Sequence, residues 1–324
     1  MKYDKKDAKD FARAHLRGIW AAALTPFGDD LRIDESGFRR NIRHWTRDLG
    51  IDGLFISGKQ GEFFSMSVEE RKRTFEIAVE ATSGVAGTIM SCSDQNLDTV
   101  LELARHAQDI GADFIVVHAP VLHFVSPPDD TVYEYYRHLS EALDIGIAMW
   151  SHPDSGYLMT PELCARLADL PNIVAIKYSV PREMYARLTQ LAGDRLIVST
   201  SSEEEWLDNI VELNWQVYLC STPPYLLQTA ADRRMRQYTD LAMRGEVGRA
   251  REVSASLDPV RRALRSTRPG GKSHAHQKYW QELLGQVGGP VRRPLLGLTP
   301  EEKAATRAAF EACGLTPAAT SVAG

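Results

Sequence analysis

Lys177 ends the apolar run of Asn172-Ile-Val-Ala-Ile-Lys-Tyr-Ser179. Residues 173–176 read as a strand buried on both faces. A lysine at the end of such a strand loses water, and its charge is costly unless paired or discharged. A desolvated, partly neutral amine is the form that adds to a ketone to make a Schiff base. The plain alternative is a side chain that leaves the strand and reaches water along its alkyl stem. The octapeptide alone favours that plain alternative; the rest of the chain reverses the choice.

Two further stretches carry side chains able to do chemistry. The first is Gly58-Lys59-Gln60-Gly61-Glu62. Lys59 could hold a substrate carboxylate or lower the pKa of Lys177 by like-charge repulsion; otherwise it is a solvated loop lysine. Gln60 could bond the same carboxylate, and Gly58 and Gly61 let backbone N–H groups approach an anion. Glu62 reads as structural. The second stretch is Trp150-Ser151-His152-Pro153-Asp154-Ser155. Period-two geometry puts Trp150 and His152 on one strand face. A histidine there can carry protons near pH 7, or else bond a loop carbonyl. Trp150 can stack on a substrate or simply fill volume. His118, His123 and His152 together suggest a metal site. Their spacing is not diagnostic, however, and a nearby lysine disfavours a cation. No metal and no cofactor is expected.

These groups need elements to position them. Strand-like apolar runs occur at 18–24, 53–57, 86–91, 114–118, 146–151, 173–177, 196–200 and 216–220. Amphipathic, helix-length stretches at 34–49, 67–82, 96–110, 131–143 and 160–170 lie between them. Ser67 with Glu70 is a capping box, and Thr160-Pro161 and Thr299-Pro300 put proline in a first helical turn. Strands alternating with helices imply a parallel sheet. Eight units in about 220 residues fit a closed (β/α)8 TIM barrel of the α/β class better than an open sheet. No GxGxxG follows the first strand, which weighs against a dinucleotide fold. Active residues of such barrels sit at the C-terminal strand ends. Thr25, 58–62, 118–123, 150–155, Lys177, 199–202 and Ser221 therefore converge on one mouth. Trp150, Ser155, Ser201 and Ser221 are candidates to contact the distal part of a substrate. Residues 1–17 read as an N-terminal arm, 18–225 as the barrel core strands, and 226–324 as the last barrel helix and a C-terminal helical domain.

The 324 residues are 44% hydrophobic and 25% charged, enough for a large core. A net charge of -5 argues against nucleic acid and anionic membrane as partners. The aromatic, basic stretch 261–280 reads as surface or subunit contact. Four dispersed cysteines suit a reducing cytoplasm. The charged N-terminus is no signal peptide, and no apolar run approaches the ~18 residues of a membrane span. A cytoplasmic location is expected.

Thr25-Pro26-Phe27, Asp34, Gly58-x-x-Gly61-Glu62, Met66 with Glu69-Glu70-Arg71, and Ala175-Ile176-Lys177 follow in order. Gly289-Pro-Val-Arg292-Arg-Pro294-Leu and Leu298-Thr-Pro-Glu-Glu302 complete the series. This order resembles the dihydrodipicolinate synthase / N-acetylneuraminate lyase family across nearly the whole chain. The resemblance implies a (β/α)8 barrel with a C-terminal helical domain, assembled as a homo-oligomer, most often a tetramer. It implies class I lyase chemistry on pyruvate or another 2-oxo acid, with Lys177 at the imine position. Departures from the family pattern matter as much. Its two carboxylate-holding threonines are here Lys59 and Gln60. Its proton-shuttling tyrosine is Trp150, whose N–H donates but is no general acid–base near neutral pH. The arginine that grips a dicarboxylic substrate is Ser155, and a Pro-Tyr-Tyr is Pro120-Val121-Leu122. The expectation is a Schiff-base lyase (aldolase, hydratase-aldolase or dehydratase) other than dihydrodipicolinate synthase itself, with His152 as substitute shuttle. The alternatives are a metal-dependent lyase or hydrolase using the mouth histidines, and a non-catalytic 2-oxo-acid-binding barrel.

Overall fold

In the computed structural model the eight apolar runs are eight strands. They are β1 (Gly18–Ala22), β2 (Gly53–Ile56), β3 (Gly87–Ser91), β4 (Phe114–His118), β5 (Gly146–Ser151), β6 (Ile173–Tyr178), β7 (Ile197–Ser199) and β8 (Val217–Leu219). The structure describes residues 1–315 apart from Ser83, His123, Phe124, Pro127, Ser201, Cys220 and Ser221. Ladders run β8-β1-β2-β3-β4-β5-β6-β7, and each is parallel. At the remaining seam the Leu219 N–H donates to Ser199 Oγ at 2.9 Å, so the sheet curls into a nearly closed barrel. The strands are buried almost throughout, as a parallel sheet covered by helices requires.

Each strand is followed by a helix: α2 (Glu35–Arg43), α3 (Val68–Thr82), α4 (Leu97–Asp109), α5 (Asp129–Ala142), α6 (Pro161–Leu167), α7 (Arg182–Ala192), α8 (Trp206–Leu213) and α9 (Arg234–Met243). Their starts are set by local chemistry. Asp34 accepts from Gly37 N–H at 2.8 Å, Thr160 from Leu163 N–H at 3.1 Å, and Ser67 and Glu70 cap each other's N–H groups at 3.2 and 3.0 Å. Beyond the barrel lie α10 (Val247–Ala255), α11 (Asp258–Ser266), α12 (Ser273–Leu283) and α13 (Pro300–Ala312). Trp280 of α12 ties this layer to the barrel by donating to Leu226 O at 3.0 Å. Among the described residues no helix is long and apolar enough to cross a membrane.

The first residues, expected as an arm, are a docked helix, α1 (Ala8–His15). Ala8 and Ala12, four residues apart on the helix, and Leu16 at its C-cap are fully buried and give this segment its apolar stripe. The Tyr3 hydroxyl donates to Asp113 O at 2.6 Å and accepts from Gly146 N–H at 2.8 Å. Both partners lie at the N-terminal ends of β4 and β5, so this segment covers the end of the barrel opposite the mouth.

Candidate active site

Strand register places four side chains level at the C-terminal end of the barrel. His118 of β4 is paired with Trp150 of β5, Trp150 with Lys177 of β6, and Lys177 with Ser199 of β7. Lys177 is 1% exposed. Its Nζ lies 5.0 Å from the Phe55 ring centre and 5.1 Å from that of Trp150. The Phe55 and Trp150 rings meet edge to face at 5.7 Å, and His118 meets Trp150 in the same way at 4.9 Å. The strand-end lysine therefore stays inside and does not snorkel to water.

His152 continues the Trp150 face of β5, its ring 6.1 Å from the indole. Its Nδ1 accepts the Asp154 N–H at 3.1 Å and lies 3.3 Å from Asp154 Oδ1. The first contact fits a neutral ring protonated on Nε2; the second would steady the ring with a proton on Nδ1. Burial lowers the His152 pKa, Lys59 and Lys177 lower it further, and Asp154 opposes them. Burial likewise lowers the His118 pKa, against the bond from its Nδ1 to Ala119 O at 2.6 Å. Both rings are held toward the neutral form.

Lys59 bridges the mouth to form an ion pair with Asp154. Burial acts upward on the Asp154 carboxyl, but the Lys59 bond and the two histidines hold it below its usual range. Lys59 thus has a carboxylate partner, while its side chain stays 39% exposed. Its carbonyl accepts the His274 Nε2–H from α12 at 2.8 Å, so the C-terminal layer helps shape the mouth. The glycines around it are dictated by crowding. A Cβ on Gly58 would lie 2.8 Å from the Phe55 ring, and one on Gly61 3.0 Å from Ala23 O. Thr25 Oγ1 donates to Gly61 O at 2.9 Å. Gln60 sits half-buried on the same loop. Glu62 is structural, as expected: it meets Lys278 Nζ of α12 at 2.6 Å and accepts the Arg292 N–H at 3.0 Å. Arg292 also grips Glu70 at 2.6 and 2.8 Å. Motifs far apart in sequence therefore share one clamp under the mouth.

The structure brings Lys177, Trp150, His152, Lys59 and the 58–61 loop together. Ser155 belongs to the loop itself: its hydroxyl lies 2.7 Å from Tyr157 O and 3.0 Å from His152 O, both acceptors. Its one proton is used locally, which argues against the substrate contact expected of it. Ser201 and Ser221 lie outside the described residues, as does His123. Among the described residues no group of three His, Cys, Asp or Glu side chains could hold a metal. Sequence reasoning missed Asp154 as partner of both Lys59 and His152. The only signal was its place in the same Trp150–Ser155 turn. It also missed Phe63 and Phe64, which with Trp150, His118 and Val121 line a cavity of about 270 Å³ beside the row.

Comparison with known proteins agrees with this geometry. Residues 15–313 match the dihydrodipicolinate synthetase family. A 4-hydroxy-tetrahydrodipicolinate synthase of Methanothrix thermoacetophila is 30% identical over 297 residues, covering 90% of this chain and 95% of the relative. YagE, a prophage protein of the dihydrodipicolinic acid synthase family from E. coli K12 solved in complex with pyruvate, superposes with a TM-score of 0.80. It is 22% identical, with 93% of this chain and 99% of that one covered. CdNal from Clostridium difficile, solved in complex with mannosamine, gives a TM-score of 0.79 at 24% identity, covering 92% and 99%. At these identities the two structures speak for the fold, while the matched span speaks for descent: this chain belongs to the dihydrodipicolinate synthetase family.

Proposed function

We propose that this chain is a Schiff-base-forming lyase acting on pyruvate or a substituted 2-oxo acid, by a reaction other than that of the synthases. One observation carries the reading: the Lys177 amine is buried against aromatic walls at a barrel mouth, level with His118, Trp150 and Ser199. Burial favours the uncharged form of an amine, which is the nucleophile. The amine adds to the ketone carbon, the carbonyl oxygen departs as water, and the iminium formed accepts the electron pair of a neighbouring C–C or C–H bond. Aldol cleavage, its reverse and dehydration all draw on that intermediate.

Lys59 would exchange Asp154 for the substrate carboxylate, with Gln60 and the 58–61 backbone completing the hold. The released Asp154 carboxylate would then steady a proton on His152 Nδ1 while Nε2 takes or returns one. Trp150 in place of a tyrosine, and Ser155 in place of an arginine with its hydroxyl already engaged, support a substrate unlike that of the synthases. Homo-oligomeric assembly, most simply a tetramer, is part of the same reading.

Borohydride trapping with intact-mass readout tests it. Pyruvate or a related 2-oxo acid should leave one reduced adduct on Lys177, absent in Lys177→Ala and in Lys177→Arg, whose guanidinium stays protonated. The reading fails if no 2-oxo acid is trapped, or if Lys59 carries the adduct while the Lys177 variants turn over normally.

A further inference from the structure

His118 closes β4, one strand from Trp150 and two from Lys177, and register keeps the three residues level. The His118 ring centre lies 4.9 Å from that of the indole, and Lys177 Nζ lies 5.1 Å from the indole ring. A small 2-oxo acid with one water spans such a gap.

The tautomer of His118 is fixed by its neighbour. Nδ1 lies 2.6 Å from Ala119 O, and a carbonyl only accepts, so Nδ1 carries the proton and Nε2 is a lone pair. Nε2 meets no partner among the described residues, and it is not one of the polar atoms sealed from solvent. The residue itself is half-buried in the wall of the 270 Å³ cavity. Burial, with Lys59 and Lys177 nearby, holds the ring toward the neutral form against the Ala119 bond and Asp154.

The neighbouring groups are poorer acceptors. Indole N–H only donates. Ser199 Oγ already accepts the Leu219 N–H at 2.9 Å and lies 3.3 Å from Thr200 O. His152 rests in the opposite tautomer, since its Nδ1 accepts the Asp154 N–H and leaves the proton on Nε2. It also stands two residues beyond Trp150 on extended backbone, about 6.6 Å past the level of the amine. At rest the mouth therefore holds a proton acceptor level with Lys177 and a proton donor farther out.

We infer that His118 is a catalytic residue of imine formation, its Nε2 moving the protons exchanged between Lys177 and the ketone, directly or through one water. The inference rests on the Schiff-base reading. As the Lys177 nitrogen bonds to the ketone carbon, the C=O π pair moves onto oxygen, giving an ammonium and an alkoxide. His118 Nε2 takes the proton from nitrogen and returns it to that oxygen. A second proton, drawn from bulk water through the same imidazole, lets the oxygen leave as water while the nitrogen lone pair completes the iminium. His152 then serves the later step, at the bond farther from the amine.

The test is the rate of adduct formation, from quenched-flow borohydride trapping of pyruvate on the full chain with intact-mass readout. His118→Asn keeps an amide N–H for Ala119 O and loses the base; its Lys177 adduct should form roughly 10²-fold more slowly than in wild type. His118→Ala should be as slow, and added imidazole should speed it in proportion to its concentration, an effect that a packing role would not produce. His152→Ala should lose turnover and still form the adduct at close to the wild-type rate. His118 variants as fast as wild type, or a slow His118→Ala that imidazole leaves slow, overturn the inference and leave the Schiff-base reading standing. Wild type that traps no 2-oxo acid removes that reading, and the inference with it.

Discussion

Lys177 and Lys278 are each 1% exposed, yet their surroundings differ in kind. Lys278, on α12, meets the Glu62 carboxylate at 2.6 Å, donates to Pro290 O at 2.8 Å and sits 4.3 Å over the Phe27 ring. Burial lowers its pKa and Glu62 pulls it back toward the charged form. Lys177 lies instead against the faces of Phe55 and Trp150, at the level of His118 and Ser199. Burial by itself therefore says only that an amine is costly to place. A carboxylate and a carbonyl make a clamp around Lys278, whereas aromatic faces at the barrel mouth fit the nucleophile proposed for Lys177.

The sharpest way to break this contrast is the same substitution at both sites. Lys177→Met should bring turnover and imine trapping to background, because no other group replaces the attacking nitrogen. Its unfolding midpoint should fall less than that of Lys278→Met. A Lys177→Met protein that still forms the adduct would erase the distinction between the two lysines.

His152 tests the chemical side one step out from the amine. His152→Ala should cut turnover roughly 10²–10⁴-fold while trapping on Lys177 survives, since imine formation and later proton transfer are separate steps. Single-turnover kinetics with a cleavable substrate would show it. An unchanged rate would move the proton role to Lys59 or to water.

Lys278 tests the structural side. Lys278→Met leaves Glu62, which is wholly buried, without its counter-charge and should cost about 3–5 kcal/mol in urea unfolding. Adding Glu62→Gln should return much of that loss, because the amide oxygen can still accept the Arg292 N–H that Glu62 now holds at 3.0 Å. Equal stability for the single and double variants would mean that the pair is not the clamp.

How much of this could be read in advance depended on the range of the interaction. The strands 114–118 and 146–151 are continuous apolar runs, and their observed limits are the expected ones. The caps at Ser67, Thr160 and Thr299 follow from residues three apart. Lys177 was legible because a charged residue closes a buried strand. The Lys59–Asp154 pair was not, since its members stand on different barrel loops and only closure of the barrel brings them together. The same holds for Glu62 and Lys278, and for His274 on the Lys59 carbonyl. Phe63 and Phe64 carried no signal, and Ser155 read as a substrate contact, because pocket walls and local carbonyl partners have no sequence periodicity. The docking of α1 escaped notice because two of its three buried contacts are alanines.

The smallest effect concerns a buried base with no carboxylate partner among the described residues. His276 of α12 is fully buried, with Nε2 2.9 Å from Thr267 Oγ1. Burial, helped by the nearby Arg268 cation, lowers its pKa to about 4. The unfolded chain, with an ordinary histidine near 6.5, then takes up the proton first. Stability from this residue is therefore complete above pH 6.5, declines as the pH falls toward 4, and stays lost below. Wild type should lose about 3 kcal/mol more than His276→Gln between pH 7 and pH 4, as read from urea midpoints at the two pH values. His118, His152 and His274, whose pKa values are also lowered, remain in both proteins and cancel in the difference. Lys278, two residues along the same helix, keeps Glu62 as its counter-charge, and its pair should persist through most of this range. Parallel stability curves for wild type and His276→Gln would show that His276 takes up its proton inside the fold at ordinary pH. Burial without a counter-charge would then not set the protonation state in this part of the molecule.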